Sequence, residues 1–154
     1  MEKKLIINRV WAMPNKRTFQ IKPIKELIKT EMGVEKWLDL FPYPFEKDAV
    51  TVLSGITDDS LMGVLFDPPY SPRQLKECYD SLGQSLTSLD TSNHTWKVWK
   101  DETARVIKKN GKVICFGWNS NGLGINRGFI LERILLVAHG GNHNDTIVTV
   151  EKKR

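Results

Sequence analysis

Residues Leu61 to Phe66 form a nearly unbroken apolar run that stops abruptly at Asp67. A strand with one face in water alternates apolar and polar residues. A run without alternation reads as a strand buried on both faces, as in a parallel sheet covered by helices. Val113 to Trp118 is a second such run. Between them, Ser71-Pro72 reads as a helix cap and first turn. Leu75, Cys78, Tyr79 and Leu82 give that helix a buried stripe and Gly83 an end. A further helix is predicted from Thr95 to Lys109, with Trp96, Trp99, Thr103, Val106 and Ile107 on one side and Gly111 as its C-cap.

Upstream, Pro23 suits a first helical turn. Ile24, Leu27, Ile28 and Met32 then make a stripe that Gly33 closes. Lys36 to Phe41 is a strand candidate broken by Pro42, and Val50 to Leu53 a second one. Ile130 to Ala138 and Thr146 to Val150, joined by a turn rich in Gly, Asn and His, read as a terminal antiparallel hairpin. The expectation is an α/β sandwich with a mostly parallel sheet and one domain over residues 1–154. In such sheets ligands sit beyond the carboxyl ends of the strands, which puts Asp39, Asp67 and Trp118 with Asn119 on one rim.

Composition narrows the function classes. No apolar run reaches the length of about 18 residues that a membrane span needs. The start is too short in its apolar part for a signal peptide. Cys78 and Cys115 lack metal-site spacing and fall on apolar stripes, so a core role in a reduced, cytoplasmic protein is expected. The net charge of +5 is concentrated. Residues 1–30 hold eight basic and two acidic side chains, and the rest of the chain is nearly balanced. A basic arm on a neutral body suits a polyanion such as nucleic acid, or serves as a solvated face.

Asp67-Pro68-Pro69-Tyr70, straight after the buried run, is the sharpest motif. The amino group of a nucleobase is a poor nucleophile, because its lone pair is delocalised into the ring. A carboxylate and a backbone carbonyl can accept from its two N–H groups and favour a more tetrahedral nitrogen. Two prolines fix the carbonyl of Pro68 and bring no competing N–H. A tyrosine ring offers a face on which a flipped base can stack.

On these residues the chain resembles the amino-group DNA methyltransferases, in particular the adenine-N6 enzymes of small phage type. Phe19 to Ile28, with Lys22-Pro23, is similar to the family segment that flanks the methionine part of S-adenosylmethionine. Trp37-Leu38-Asp39-Leu40-Phe41 is similar to the strand and Asp-x-Phe that open the cofactor motif. Ala104 to Val113, Arg9 to Lys16, and Phe116 to Ser120 carry weaker likenesses. The resemblance implies a shortened Rossmann-like S-adenosylmethionine methyltransferase sandwich. It implies Asp67, Pro68, Pro69 and Tyr70 as catalytic residues, and Phe19, Lys22, Pro23, Asp39 and Phe41 at the cofactor. DNA is the implied partner, with RNA or a homo-oligomer also compatible, and no metal takes part.

One departure stands out. The family's glycine-rich turn is replaced by Pro42-Tyr43-Pro44-Phe45-Glu46-Lys47, and only 25 residues separate Phe41 from Asp67. Glu46, Asp48, Asp58 and Asp59 are the available acids for a ribose. The alternative reading is a catalytically inactive, methyltransferase-like nucleic-acid-binding protein. Candidates for nucleic-acid contact are Lys16, Arg17, Arg73, Trp118, Asn119 and Arg127, with Arg105 as a further phosphate contact. Trp11, Trp37, Trp96 and Trp99 are expected to pack. The polar loop Gly122-Leu123-Gly124 either contacts nucleic acid or turns the chain, and the turn holding His139 and His143 is expected to be solvated.

Overall fold

A computed structural model describes residues 3–42, 47–69, 80 and 93–154. Six strands form one mixed sheet. They are β1 (Ile6–Trp11), β2 (Leu38–Asp39), β3 (Leu61–Phe66), β4 (Ile107–Gly117), β5 (Phe129–Ala138) and β6 (Thr146–Lys153). Their order across the sheet is β1-β5-β6-β4-β3-β2. The β1–β5, β2–β3 and β3–β4 pairs are parallel. β6 alone runs the other way, antiparallel to β4 and β5 on its two sides. The fold is therefore α/β, with five strands ending on one rim. Among the described residues no helix is long and apolar enough to cross a membrane.

The helices are α1 (Lys22–Met32), α2 (Ala49–Ser54) and α3 (Asn93–Val106). α1 begins with proline in its first turn and ends at Gly33, whose φ of 58° is open to glycine at low cost. It buries Ile24, Leu27 and Ile28 on one face of the sheet, against Leu65, Ile114 and Phe116. α2 and α3 cover the other face, where Leu53, Trp99 and Val106 meet Val64, Phe66 and Cys115. The unalternating run of β3 is explained: Val64 and Phe66 face one core, Leu65 the other. Gly63 lies under the Trp37 indole, which a Cβ at that position would overlap.

Several elements differ from the sequence reading. Val50 to Leu53 is helical, because Asp48 accepts a hydrogen bond from the Thr51 N–H and caps α2. Lys36 to Phe41 forms a ladder only at Leu38–Asp39. α3 stops at Val106 rather than Lys109. The carbonyls of Arg105 and Val106 accept from the Asp59 and Ser60 N–H groups of the segment entering β3, which ends the helix. Gly111 thus lies inside β4, next to Asn110 at φ 67°. β1 has no counterpart in the sequence reading. The helix expected over residues 71–83 lies outside the described residues, apart from Asp80.

Candidate active site

The parallel strands β2 and β3 deliver Asp39 and Asp67 to the same rim, with Asp39 opposite Leu65 in the ladder. Asp67 follows Phe66 and falls on the opposite face, the side of α1. Here the Thr18 hydroxyl, in the short helical turn Thr18–Gln20, donates to its carboxylate. Removal from water pushes the Asp67 carboxyl up to about 7; the Thr18 bond opposes this, and the negative charge of Asp39 adds to it. Asp39 is also shifted upward by burial, against a bond from the Phe41 backbone N–H. Its Oδ1 is buried and has no hydrogen-bond partner among the described residues. Pro68 and Pro69 are buried directly after Asp67, and Tyr70 lies outside the described residues.

The cofactor candidates divide between this cluster and the core. Phe19 packs on Phe116 with ring centroids 4.9 Å apart, beside Thr18. Lys22 and Pro23 open α1, immediately after the turn that holds Thr18. The Phe41 ring is buried between Phe66 and Trp99, at centroid distances of 5.4 and 5.1 Å. Of the ribose candidates, Glu46 is outside the described residues. Asp48 caps α2, Asp58 binds Arg105 and Asp59 binds Lys153.

On the other face of the sheet, at the same rim, lies a cavity of about 270 Å³. Phe66, Trp96, Lys100, Cys115, Asn119 and Gly122 line it. Cys115 is buried and its thiol is shifted upward by desolvation, so it is a packing residue and not a nucleophile. The loop bounding this cavity is held by Glu151, a buried residue without any sequence signal. Its carboxylate accepts from the Leu123 N–H at 2.7 Å and the Gly124 N–H at 2.9 Å. Burial raises its pKa, against those bonds and the charges of Lys100 and Arg127. Gly122, at φ 55°, leaves no space for a Cβ beside that carboxylate.

Among the nucleic-acid candidates, Lys16 and Arg17 are exposed just before Thr18, and Trp118 and Asn119 are exposed at the end of β4. Arg127 donates to Asp101 and to the Leu123 carbonyl. Arg105 is a structural tie that binds Glu102, Asp58 and the carbonyls of Leu53 and Ile56. Arg73 lies outside the described residues. Trp11 is not packed but 63% exposed at the end of β1. His139 is not solvated either: it is buried, with Nδ1 2.9 Å from the Ala12 carbonyl and Nε2 2.8 Å from the Thr146 hydroxyl. Among the described residues no three His, Cys, Asp or Glu groups converge as a metal site. No protein-family model matches the chain, and no curated protein matches it.

Proposed function

We propose that this chain transfers a methyl group from S-adenosylmethionine to the N6 amino group of adenine in DNA, on a shortened Rossmann-like methyltransferase sandwich. One observation carries the reading: Asp67-Pro68-Pro69 leaves a buried parallel strand beside Asp39, with the Thr18 hydroxyl next to its carboxylate. The carboxylate and the Pro68 carbonyl accept the two N–H bonds of the amino group and direct its lone pair outward. Tyr70 takes the stacking role by resemblance. When bound, S-adenosylmethionine supplies an electrophilic methyl carried on a sulfonium.

The donor set suits that group. S-adenosylmethionine is cationic at its sulfur and its amino group. Asp39 and Asp67 are two desolvated carboxylates, the charge of Asp39 adds to the cost of ionising Asp67, and Asp39 presents an unpartnered buried oxygen. A cation relieves both penalties. Phe19, Lys22 and Pro23 border the same side. After transfer the nitrogen loses its surplus proton, and a carboxyl that titrates near neutrality can accept it.

The second reading, a nucleic-acid-binding protein without transfer, draws on two features: Pro42 opens the segment that replaces the family's glycine-rich turn, and the Phe41 ring before it, a cofactor residue by resemblance, is committed to the core. Calorimetric titration with S-adenosylmethionine, followed by transfer of labelled methyl to adenine-containing DNA, separates the two. Binding near one site per chain with transfer lost in Asp67→Ala is the expected result. A folded, cofactor-free protein that binds no S-adenosylmethionine would overturn the methyltransferase assignment.

A further inference from the structure

Between β1 and Asp67 the chain itself crosses the carboxyl rim. Ala12 still pairs with β5, its N–H donating to the Ala138 carbonyl at 3.0 Å, and Thr18 already binds Asp67. Residues 13–17 therefore span the ends of the intervening strands. With neighbouring strands about 4.8 Å apart, four spacings separate β1 from β3, a path of roughly 19 Å. Met13, Asn15, Lys16 and Arg17 are all exposed along it. At its far end Trp11 presents most of its indole to water, which is unusual for so large an apolar ring.

The mount of Trp11 is rigid. His139 bridges the Ala12 carbonyl and the Thr146 hydroxyl, tying the end of β1 to the hairpin of β5 and β6. Gly140, at φ 69°, lets the hairpin turn pass beside the indole; a Cβ there would approach its Nε1 to 3.3 Å. The crossing is shaped as well, since the Asn15 side chain accepts from the Arg17 N–H at 2.9 Å. An exposed aromatic on a fixed support, joined to the proposed target site by a segment that carries Lys16 and Arg17, is the arrangement by which proteins hold single strands. Cations follow the phosphates and an aromatic face stacks a base.

We propose that the crossing from Asp67 to Trp11 binds single-stranded DNA, with Lys16 and Arg17 along the backbone and one base stacked on Trp11. The path accommodates up to about six nucleotides at a stacked rise of about 3.4 Å each. Inside a duplex both faces of a base are covered by its stacked neighbours, so the surface selects an unpaired strand over a duplex. The proposal deepens the methyltransferase reading by naming the form of its substrate, and it rests on that reading for where the target base sits.

The test is fluorescence anisotropy of a labelled 12-nucleotide DNA, single-stranded and as duplex, with the wild type, Trp11→Ala and Trp11→Phe. The single strand is expected to bind more tightly than the duplex. Trp11→Ala should weaken single-strand binding on the order of tenfold or more, while Trp11→Phe retains most of it. Unchanged melting temperature and S-adenosylmethionine affinity in the Ala variant exclude a folding defect. Equal or tighter binding of the duplex, an Ala variant with wild-type affinity, or preference for RNA of the same sequence would each overturn the proposal. The two readings fail separately. Loss of cofactor binding alone leaves Trp11-dependent binding standing, and methyl transfer indifferent to Trp11 leaves the enzyme standing.

Discussion

Replacing Asp67 by Asn should stabilise the protein and abolish methyl transfer. The native carboxyl is raised from 3.8 to about 7, chiefly by desolvation. Between these values the unfolded chain is ionised while the folded protein still holds the proton. Stability therefore falls as pH rises from about 4 to 7 and levels off above, where both states are ionised. At about 1.4 kcal/mol per pKa unit, the cost above pH 7 is at most about 4 kcal/mol. The side chain is not fully enclosed, and solvent screening brings this to about 2 kcal/mol. Asparagine has nearly the same shape, accepts from Thr18 and carries no charge to desolvate or to repel Asp39. For a chain of this size its melting temperature at pH 8 should exceed that of the wild type by about 4–8 °C. The gain should shrink to about a degree near pH 4. Differential scanning calorimetry of both proteins from pH 4 to 8 measures it. A difference that is absent at pH 8, or constant across the range, would refute a desolvated Asp67.

Three further outcomes follow from the same geometry. Thr18→Val removes the hydroxyl that holds the carboxylate charged, so the acidic limb of the kcat/KM profile for methyl transfer should move to higher pH; a shift downward or none contradicts that role. Gly63→Ala should cost about 1–3 kcal/mol in urea unfolding, because the Trp37 indole must leave the place a Cβ would take. Glu151→Ala strips the Leu123 and Gly124 N–H groups of their acceptor and should cost about 2–5 kcal/mol; hydrogen exchange at those two amides should lose its protection, and retained protection would argue against the clamp.

The elements legible in the sequence were those whose burial is written locally. Leu61 to Phe66 announces a strand because both of its faces are core, and Pro23 with Gly33 announces both ends of α1. The hairpin of β5 and β6 was legible for the same reason. Elements set by distant partners were not. Val50 to Leu53 is rich in β-branched residues, yet one Asp48 cap makes it helical. α3 ends where Asp59 and Ser60, almost fifty residues upstream, take its last carbonyls. In the site, Asp39 and Asp67 were readable as strand-end acids that share a rim. Thr18 was not, since nothing in Arg17-Thr18-Phe19 points to a carboxylate fifty residues away. Glu151 sits among charged residues at the end of the chain and looks like a solvated side chain. His139 reads as part of a polar turn because its partners, Ala12 and Thr146, lie on other strands. Trp11 looks like core, and is exposed because β1 is the edge of the sheet.

The placement of β6 has a consequence for how the molecule comes into being. β1 and β5 pair with each other, β2, β3 and β4 pair among themselves, and only β6 is hydrogen-bonded to both groups. During synthesis, two sub-sheets with raw inner edges must wait until residues 146–153 have left the ribosome. Both edges are templates for stray pairing in that interval. The parallel pairing of β1 with β5 joins positions 127 residues apart, such as Ile6 and Arg133, which makes it the entropically slow step. β6, the last of the six strands in sequence, is thus the element that joins the two flanks of the sheet.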